Sequence, residues 1–254
     1  MSQSLDTVWI SANQAFQRFH RPLIRNLYKH AEIAHWQYSQ NADEGSSLEV
    51  PLTLLHDYLK QQHHPLHLIG HSTGGLLAFL YTQRYPHKVA SLTLLGVGST
   101  PAVDWQTHYY ALQELLPCTR QMLLTQMVWN LFGHQNCQTT KALIGVLEKD
   151  LATSPSPHSL FRRHRVSPTT VDVPLLVCGS HNDVVVDPSS VQQWQPYLKA
   201  GDRIWICPAG SHFFHFYQTQ AVARQVSQFW RSHSSPSLCS AQPQIPDQLP
   251  SSSL

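Results

Sequence analysis

Gly70-His71-Ser72-Thr73-Gly74-Gly75 stands between a short apolar run, Leu66 to Ile69, and a second apolar series, Leu76 to Tyr81. The first run suits a buried strand and the second a helix, so the six residues between them must turn the chain sharply. A turn of this kind forces its central residue into a strained backbone conformation and leaves no room for side chains two positions on either side. Gly70 and Gly74 meet that need, with His71 completing the elbow. The turn lifts the Ser72 hydroxyl above the sheet edge and aims a helix N-terminus at it, where developing negative charge is stabilised. The plainer reading is a glycine turn that only lets helix and sheet approach closely.

A serine hydroxyl is a weak nucleophile near neutral pH and needs a histidine base oriented by a carboxylate. Both occur downstream, in the order Ser, Asp, His. The strand Leu175 to Cys178 is followed by Gly179-Ser180-His181-Asn182-Asp183, and the strand Arg203 to Cys207 by Pro208-Ala209-Gly210-Ser211-His212. Loops at the carboxyl ends of parallel strands are where such sheets gather their active sites. Ser72, Asp183 and His212 are therefore the catalytic candidates. Asp187 precedes Pro188 and reads as a helix cap, Asp172 lies before a strand instead of after it, and His215, one helical turn from His212, is a rival base. His181 and His215 read more plainly as a polar pocket wall or surface rings.

Further short apolar runs at Thr7 to Ala12, Ile33 to Tyr38 and Ser91 to Val97 alternate with helical patterns, which predicts an α/β fold with a mostly parallel sheet of about six strands. Ser46 or Ser47 opens a helix carrying Leu48, Leu52, Leu55 and Leu59. Asp187-Pro188 opens another that Gly201 is expected to close, and Val222, Val226, Phe229 and Trp230 mark a last amphipathic helix. From 101 to 173 the pattern becomes helix after helix, with Leu123, Met127 and Leu131 on one face and Leu143, Leu147 and Leu151 on another, and reads as an inserted helical lid. The organisation is then core at 1–100, lid at 101–173, core at 174–231 and a Ser/Pro/Gln tail at 232–254 too poor in apolar groups to order. The lid residues Trp105, His108, Tyr109, Trp129 and Phe132 could wall a pocket for an apolar acyl or ring-bearing substrate, or could simply be lid core. Arg162-Arg163-His164-Arg165 reads as a solvated basic face, with contact to an anionic substrate or membrane surface as the alternative.

Over about residues 7–231 the sequence resembles the α/β-hydrolase fold family, on the elbow Gly70 to Gly75 and on Asp183 and His212 after their strands. Within it the chain is most similar to cyanobacterial-type members with no assigned substrate, through Leu68-Ile69-Gly70-His71-Ser72-Thr73-Gly74-Gly75-Leu76-Leu77 and Asp202-Arg203-Ile204-Trp205. The resemblance makes Ser72 the nucleophile, Asp183 the acid and His212 the base. It also implies two backbone donors for an oxyanion. The Thr73 N–H follows from the elbow; for the second, the family's His-Gly loop is replaced by Asn13-Gln14-Ala15, so Ala12 or Asn13 is expected to supply it. The strand Thr7 to Ala12 corresponds to the family's third, and the first two are missing or reduced.

The chain has 254 residues, 42% of them hydrophobic and 13% charged. Globular domains usually carry roughly 25% charged residues, so much of this surface is left to Ser, Gln, Thr and His. Seventeen Lys and Arg against fifteen Asp and Glu give a formal charge of +2, too balanced for a nucleic-acid partner. Five scattered cysteines, an amino terminus without a signal-peptide pattern and no long apolar run predict a cytoplasmic protein with free thiols and no transmembrane segment. No nucleotide or flavin signature and no metal-ligand set is present; His63-His64-Pro65-Leu66-His67 lacks an adjacent carboxylate or thiol and reads as a surface run. The sequence leaves the oligomeric state open. A serine hydrolase without a cofactor, acting on a small-molecule ester or thioester, is the leading expectation. An acyltransferase or C–C bond hydrolase on the same triad is an alternative, as is a non-catalytic binding protein on the same fold.

Overall fold

The structure is a computed structural model that describes residues 5–41, 44–45, 47–99, 104–156, 158–159, 162–163 and 169–233. Six parallel strands form the main sheet: β1 (Thr7–Ser11), β2 (Ile33–Gln37), β3 (Leu66–His71), β4 (Val89–Leu95), β7 (Leu175–Ser180) and β8 (Arg203–Cys207), in the order β2-β1-β3-β4-β7-β8. A separate two-stranded ladder pairs β5 (His158–Ser159) with β6 (Arg162–Arg163). Every residue of β1 and β7 is buried, as continuous apolar runs require when helices cover both faces.

Alternation along the strands divides the core in two. Trp9, Ile69, Leu95, Leu176 and Cys178 face α1 (Gln17–Leu27) and α9 (Thr219–His233), whose Leu23, Ile24, Val222, Val226, Phe229 and Trp230 complete that layer. Val8, Ile10, Leu68, Leu92, Leu94 and Val177 face the other way, toward α2 (Glu49–Leu59), α3 (Thr73–Arg84) and α7 (Pro188–Gln192). Three helices, α4 (Trp105–Leu115), α5 (Arg120–Phe132) and α6 (Cys137–Thr153), run between β4 and β7. Asp104, Thr119 and Asn136 cap them, each side chain accepting a backbone N–H of the first turn. Leu143 and Leu147 are buried and Leu151 is half-buried. A last short helix, α8 (Phe214–Tyr217), follows β8.

All six expected strands are present; β8 keeps its expected ends and those of the other five shift. β4 starts at Val89 and stops at Leu95, because Gly96 takes a positive φ of 60° and turns the chain out of the sheet. β3 and β7 run on through Gly70-His71 and Gly179-Ser180. Gly201 does not close the helix that Asp187 caps. That helix ends at Gln192, since Pro196 has no N–H to continue the ladder onto the Gln192 carbonyl, and a 3₁₀ turn, Gln195–Tyr197, follows. Gly201, also at positive φ, makes the turn toward β8 instead. Cys118, Cys137, Cys178 and Cys207 are free thiols. Among the described residues, no helix is long and apolar enough to cross a membrane. Ser232 and His233, expected to begin the tail, still belong to α9; Cys239, the rest of the tail and the side chains of the basic cluster at 162–165 lie outside the described residues.

Candidate active site

Ser72 has φ 50° and ψ −126°, and is the non-glycine residue of positive φ among those described. Its N–H donates to the carbonyl of Leu95 (2.9 Å), and its own carbonyl accepts the N–H of Leu76 (2.9 Å), so strand β4 and helix α3 hold the turn from both sides. The glycines around it are there for space. A Cβ on Gly70 would lie 2.6 Å from the Gly74 and Gly75 backbone, and one on Gly74 would lie 2.4 Å from the carbonyl oxygen of Ile10 in β1. Backbone cannot yield as a side chain can, so Gly74→Ala is expected to destabilise the fold by about 2–4 kcal/mol. A fall in melting temperature of about 10 °C in calorimetry would match that, at the ~2–4 °C per kcal/mol typical of this size.

The candidate acid and base meet. His212 Nδ1 lies 2.9 Å from Asp183 Oδ2, with both residues buried. Asp183 Oδ1 accepts the N–H groups of Val185 (2.9 Å) and Val186 (3.0 Å), which locks the carboxylate in place. The loops that carry them are tied to each other: the Ser180 hydroxyl donates to the Gly210 carbonyl, and the His181 N–H donates to the Cys207 carbonyl. Gly96, which follows Leu95 and hence sits beside Ser72, faces the same imidazole; a Cβ there would be 3.2 Å from His212 Cε1. His212 Nε2 is buried and has no hydrogen-bond partner among the described residues, so its bond to Ser72 is not made here. Such bonds commonly tighten only when substrate binds. Asp187 caps α7, Asp172 is exposed and His181 is exposed, so none of these rivals enters the site.

His215 is neither a pocket wall nor a surface ring: it is completely buried. Its Nε2 lies 3.0 Å from Nδ1 of His20. His71 completes the group, its Nε2–H donating to the carbonyl of His212 (3.0 Å) with the two rings 4.6 Å apart. One ring nitrogen from each of His20, His71 and His215 lies within 4.8 Å of the others, a spacing open to a metal ion. The group contains no carboxylate or thiol, and its ring nitrogens are already engaged: His20 Nδ1 with His215 Nε2, and His71 Nε2 with the His212 carbonyl. The arrangement is that of a hydrogen-bonded cluster of neutral imidazoles against His212.

That neutrality has a cost at low pH. Burial lowers the pKa of His20 to about 3 and that of His67 to about 4, and holds those of His71 and His215 well below the ordinary value. The unfolded chain, with imidazoles near ~6.5, therefore takes up protons first. Their contribution to stability is complete above about pH 6.5 and is lost progressively as the pH falls toward about 3. Asp150, raised to about 6 by burial, and Asp104, also raised by burial, pull the other way as the pH falls, but two carboxyls are outweighed by four imidazoles. The urea midpoint is expected to fall steadily from about pH 7 to about pH 5, and a midpoint that rose over that interval would contradict the balance.

Of the expected pocket residues, Trp105, Tyr109 and Phe132 are buried. Phe132 stacks on Phe213 beside the base, with ring centroids 4.7 Å apart, and packs on Phe16 and Phe19. His108 Nε2 lies 3.1 Å from the Val185 carbonyl, in the acid loop. Trp129 stands apart, 37% exposed and against His134. Ala12 and Asn13 are buried where β1 ends beside the elbow. A cleft of about 280 Å³ between Asp6, Pro65, His67 and Trp230 opens at the amino-terminal edge of the sheet, on the far side from Ser72.

The fold is matched by known proteins. Residues 46–125 match the family described as alpha/beta hydrolase fold. An uncharacterized protein of Synechocystis sp. is 46% identical over 225 residues, 89% of this chain and 90% of its own. Among solved structures, a meta-cleavage product hydrolase from Pseudomonas fluorescens superposes with a TM-score of 0.67 at 14% identity, covering 91% of this chain and 92% of that one. A thermophilic esterase from Thermogutta terrifontis gives 0.68 at 14% identity, with the same coverage. The chain belongs to the α/β-hydrolase fold family.

Proposed function

We propose that the protein is a serine hydrolase that cleaves an ester or thioester of a small apolar or acyl substrate. The observation that carries this reading is a serine strained at a helix N-terminus, on the same sheet edge as a buried Asp–His pair whose outer nitrogen is unengaged. In the proposed mechanism Asp183 accepts a hydrogen bond from the Nδ1–H of His212, which fixes the tautomer that leaves a lone pair on Nε2. Nε2 takes the Ser72 proton as Oγ attacks the carbonyl carbon. The N–H of Thr73, at the open start of α3, and that of Ala12 or Asn13 hold the oxyanion, each worth on the order of 100- to 1,000-fold in rate. His212 then protonates the leaving group, and water, deprotonated by the same nitrogen, frees the enzyme from the acyl ester. Helices α4 to α6 serve as the lid, with Trp105, Tyr109 and Phe132 on the acyl side. The solved neighbours include an esterase and a hydrolase of meta-cleavage products, both consistent with acyl chemistry on this scaffold.

The test is a panel of p-nitrophenyl esters and acyl-coenzyme A thioesters graded by chain length. Saturable turnover with a pre-steady-state burst is expected for one subset. Folded protein that hydrolyses none of them faster than its Ser72→Ala variant would sink the reading in favour of a non-catalytic binding protein.

A further inference from the structure

Two carboxylates lie fully buried in the helical segment. Asp150, in α6, accepts from Asn13 Nδ2 (3.1 and 3.2 Å to its two oxygens), Trp105 Nε1 (2.8 Å), Gln106 Nε2 (3.3 Å) and the Ser154 hydroxyl (2.6 Å). Asp104, the cap of α4, uses Oδ1 for the N–H and hydroxyl of Thr107 (both 2.9 Å) and Oδ2 for the hydroxyls of Thr73 (3.3 Å) and Ser156 (3.2 Å). Burying a carboxylate is unfavourable unless its lone pairs are satisfied, and an apolar side chain would serve packing better. Burial raises the pKa of both in spite of those donors.

The partners on the core side are the informative ones. Thr73 follows the nucleophile and Asn13 follows β1, the two places where the hydrolase reading puts its oxyanion donors. Asn13 opens the 3₁₀ turn Gln14–Phe16, yet makes no capping bond with its side chain, which is turned to Asp150 instead. The same helical segment also holds the other two loops, through the Phe213 N–H on the Leu131 carbonyl (3.1 Å) and His108 on Val185. We propose that Asp104 and Asp150 are positioning residues that fix the two oxyanion-hole backbones from the helical segment, so that this segment builds the catalytic geometry as well as covering it. The inference rests on the hydrolase reading.

It is tested with three small changes. Asn13→Ala frees the β1 loop from Asp150 while leaving Trp105, Gln106 and Ser154 to satisfy the carboxylate. Thr73→Val removes the hydroxyl that Asp104 accepts at nearly constant shape, and Thr73→Ser restores it. With the best ester, Asn13→Ala and Thr73→Val are expected to lower kcat by about 10- to 100-fold, less than the loss of a donor outright, with KM within about threefold. Affinity for an alkyl boronic acid, which forms a tetrahedral adduct on the serine, should fall in parallel with kcat, and Thr73→Ser should recover most of what Thr73→Val loses. If wild type labels on Ser72 with a fluorophosphonate but the folded variants keep kcat within about twofold, or change only KM, the positioning role is overturned while the hydrolase reading stands. A wild type that neither labels nor turns over any ester overturns both.

Discussion

Ser72→Ala is expected to lower kcat against the best ester by about 10⁴- to 10⁶-fold while leaving the melting temperature within a few degrees of wild type. The size follows from what the hydroxyl does that nothing else in the site can. His212 and the backbone donors would remain and could still activate water weakly, which sets the lower bound on residual rate. The fold should survive because the strain at a φ of 50° belongs to the backbone and is the same for alanine, while the bonds that hold the turn run through the Ser72 N–H and carbonyl. Circular dichroism and thermal melts on the variant separate lost chemistry from lost structure. Residual activity above about one per cent in the folded variant would assign the chemistry to some other group.

Asp183→Asn should cost about 10⁴-fold in kcat, for a reason that can be read from the loop. Asp183 Oδ1 is held by two N–H groups, those of Val185 and Val186, and must stay an oxygen. An asparagine is therefore forced to place its amide nitrogen where Oδ2 now meets His212 Nδ1. Two donors cannot face each other, so Nδ1 becomes the acceptor and the proton moves to Nε2, the atom to which the proposed mechanism assigns the serine proton. Nitrogen-15 NMR of the histidine side chains should report the switched tautomer along with the lost rate, and KM should change little. A loss below about tenfold would mean that the His212 tautomer does not limit turnover.

How much of this is legible in the sequence depends on distance along the chain. The strands and the elbow can be read locally, since apolar runs bounded by turn residues need only their neighbours. The candidate acid and base are legible because each directly follows a strand end. Pairs far apart are not: Asn13 meets Asp150 across 137 positions and His20 meets His215 across 195, which no periodicity reveals. Faint signals are there. Asp150 continues the Leu143–Leu147 stripe of α6, and His20 lies among Phe19, Leu23, Ile24 and Leu27 on the buried face of α1, each a polar group on an apolar face. His215 reads as exposed or pocket-lining from the sequence because the fold of its loop, which drives it beneath His71, is set by packing and not by its immediate neighbours.

The central claim is that Ser72 is an activated nucleophile. Treating the folded protein with a fluorophosphonate and mapping the adduct by peptide mass spectrometry tests it directly. The account predicts one adduct per chain, on Ser72, absent from Ser72→Ala and abolished or greatly slowed in His212→Ala. Folded protein that carries no adduct, or carries it on another residue, would contradict it.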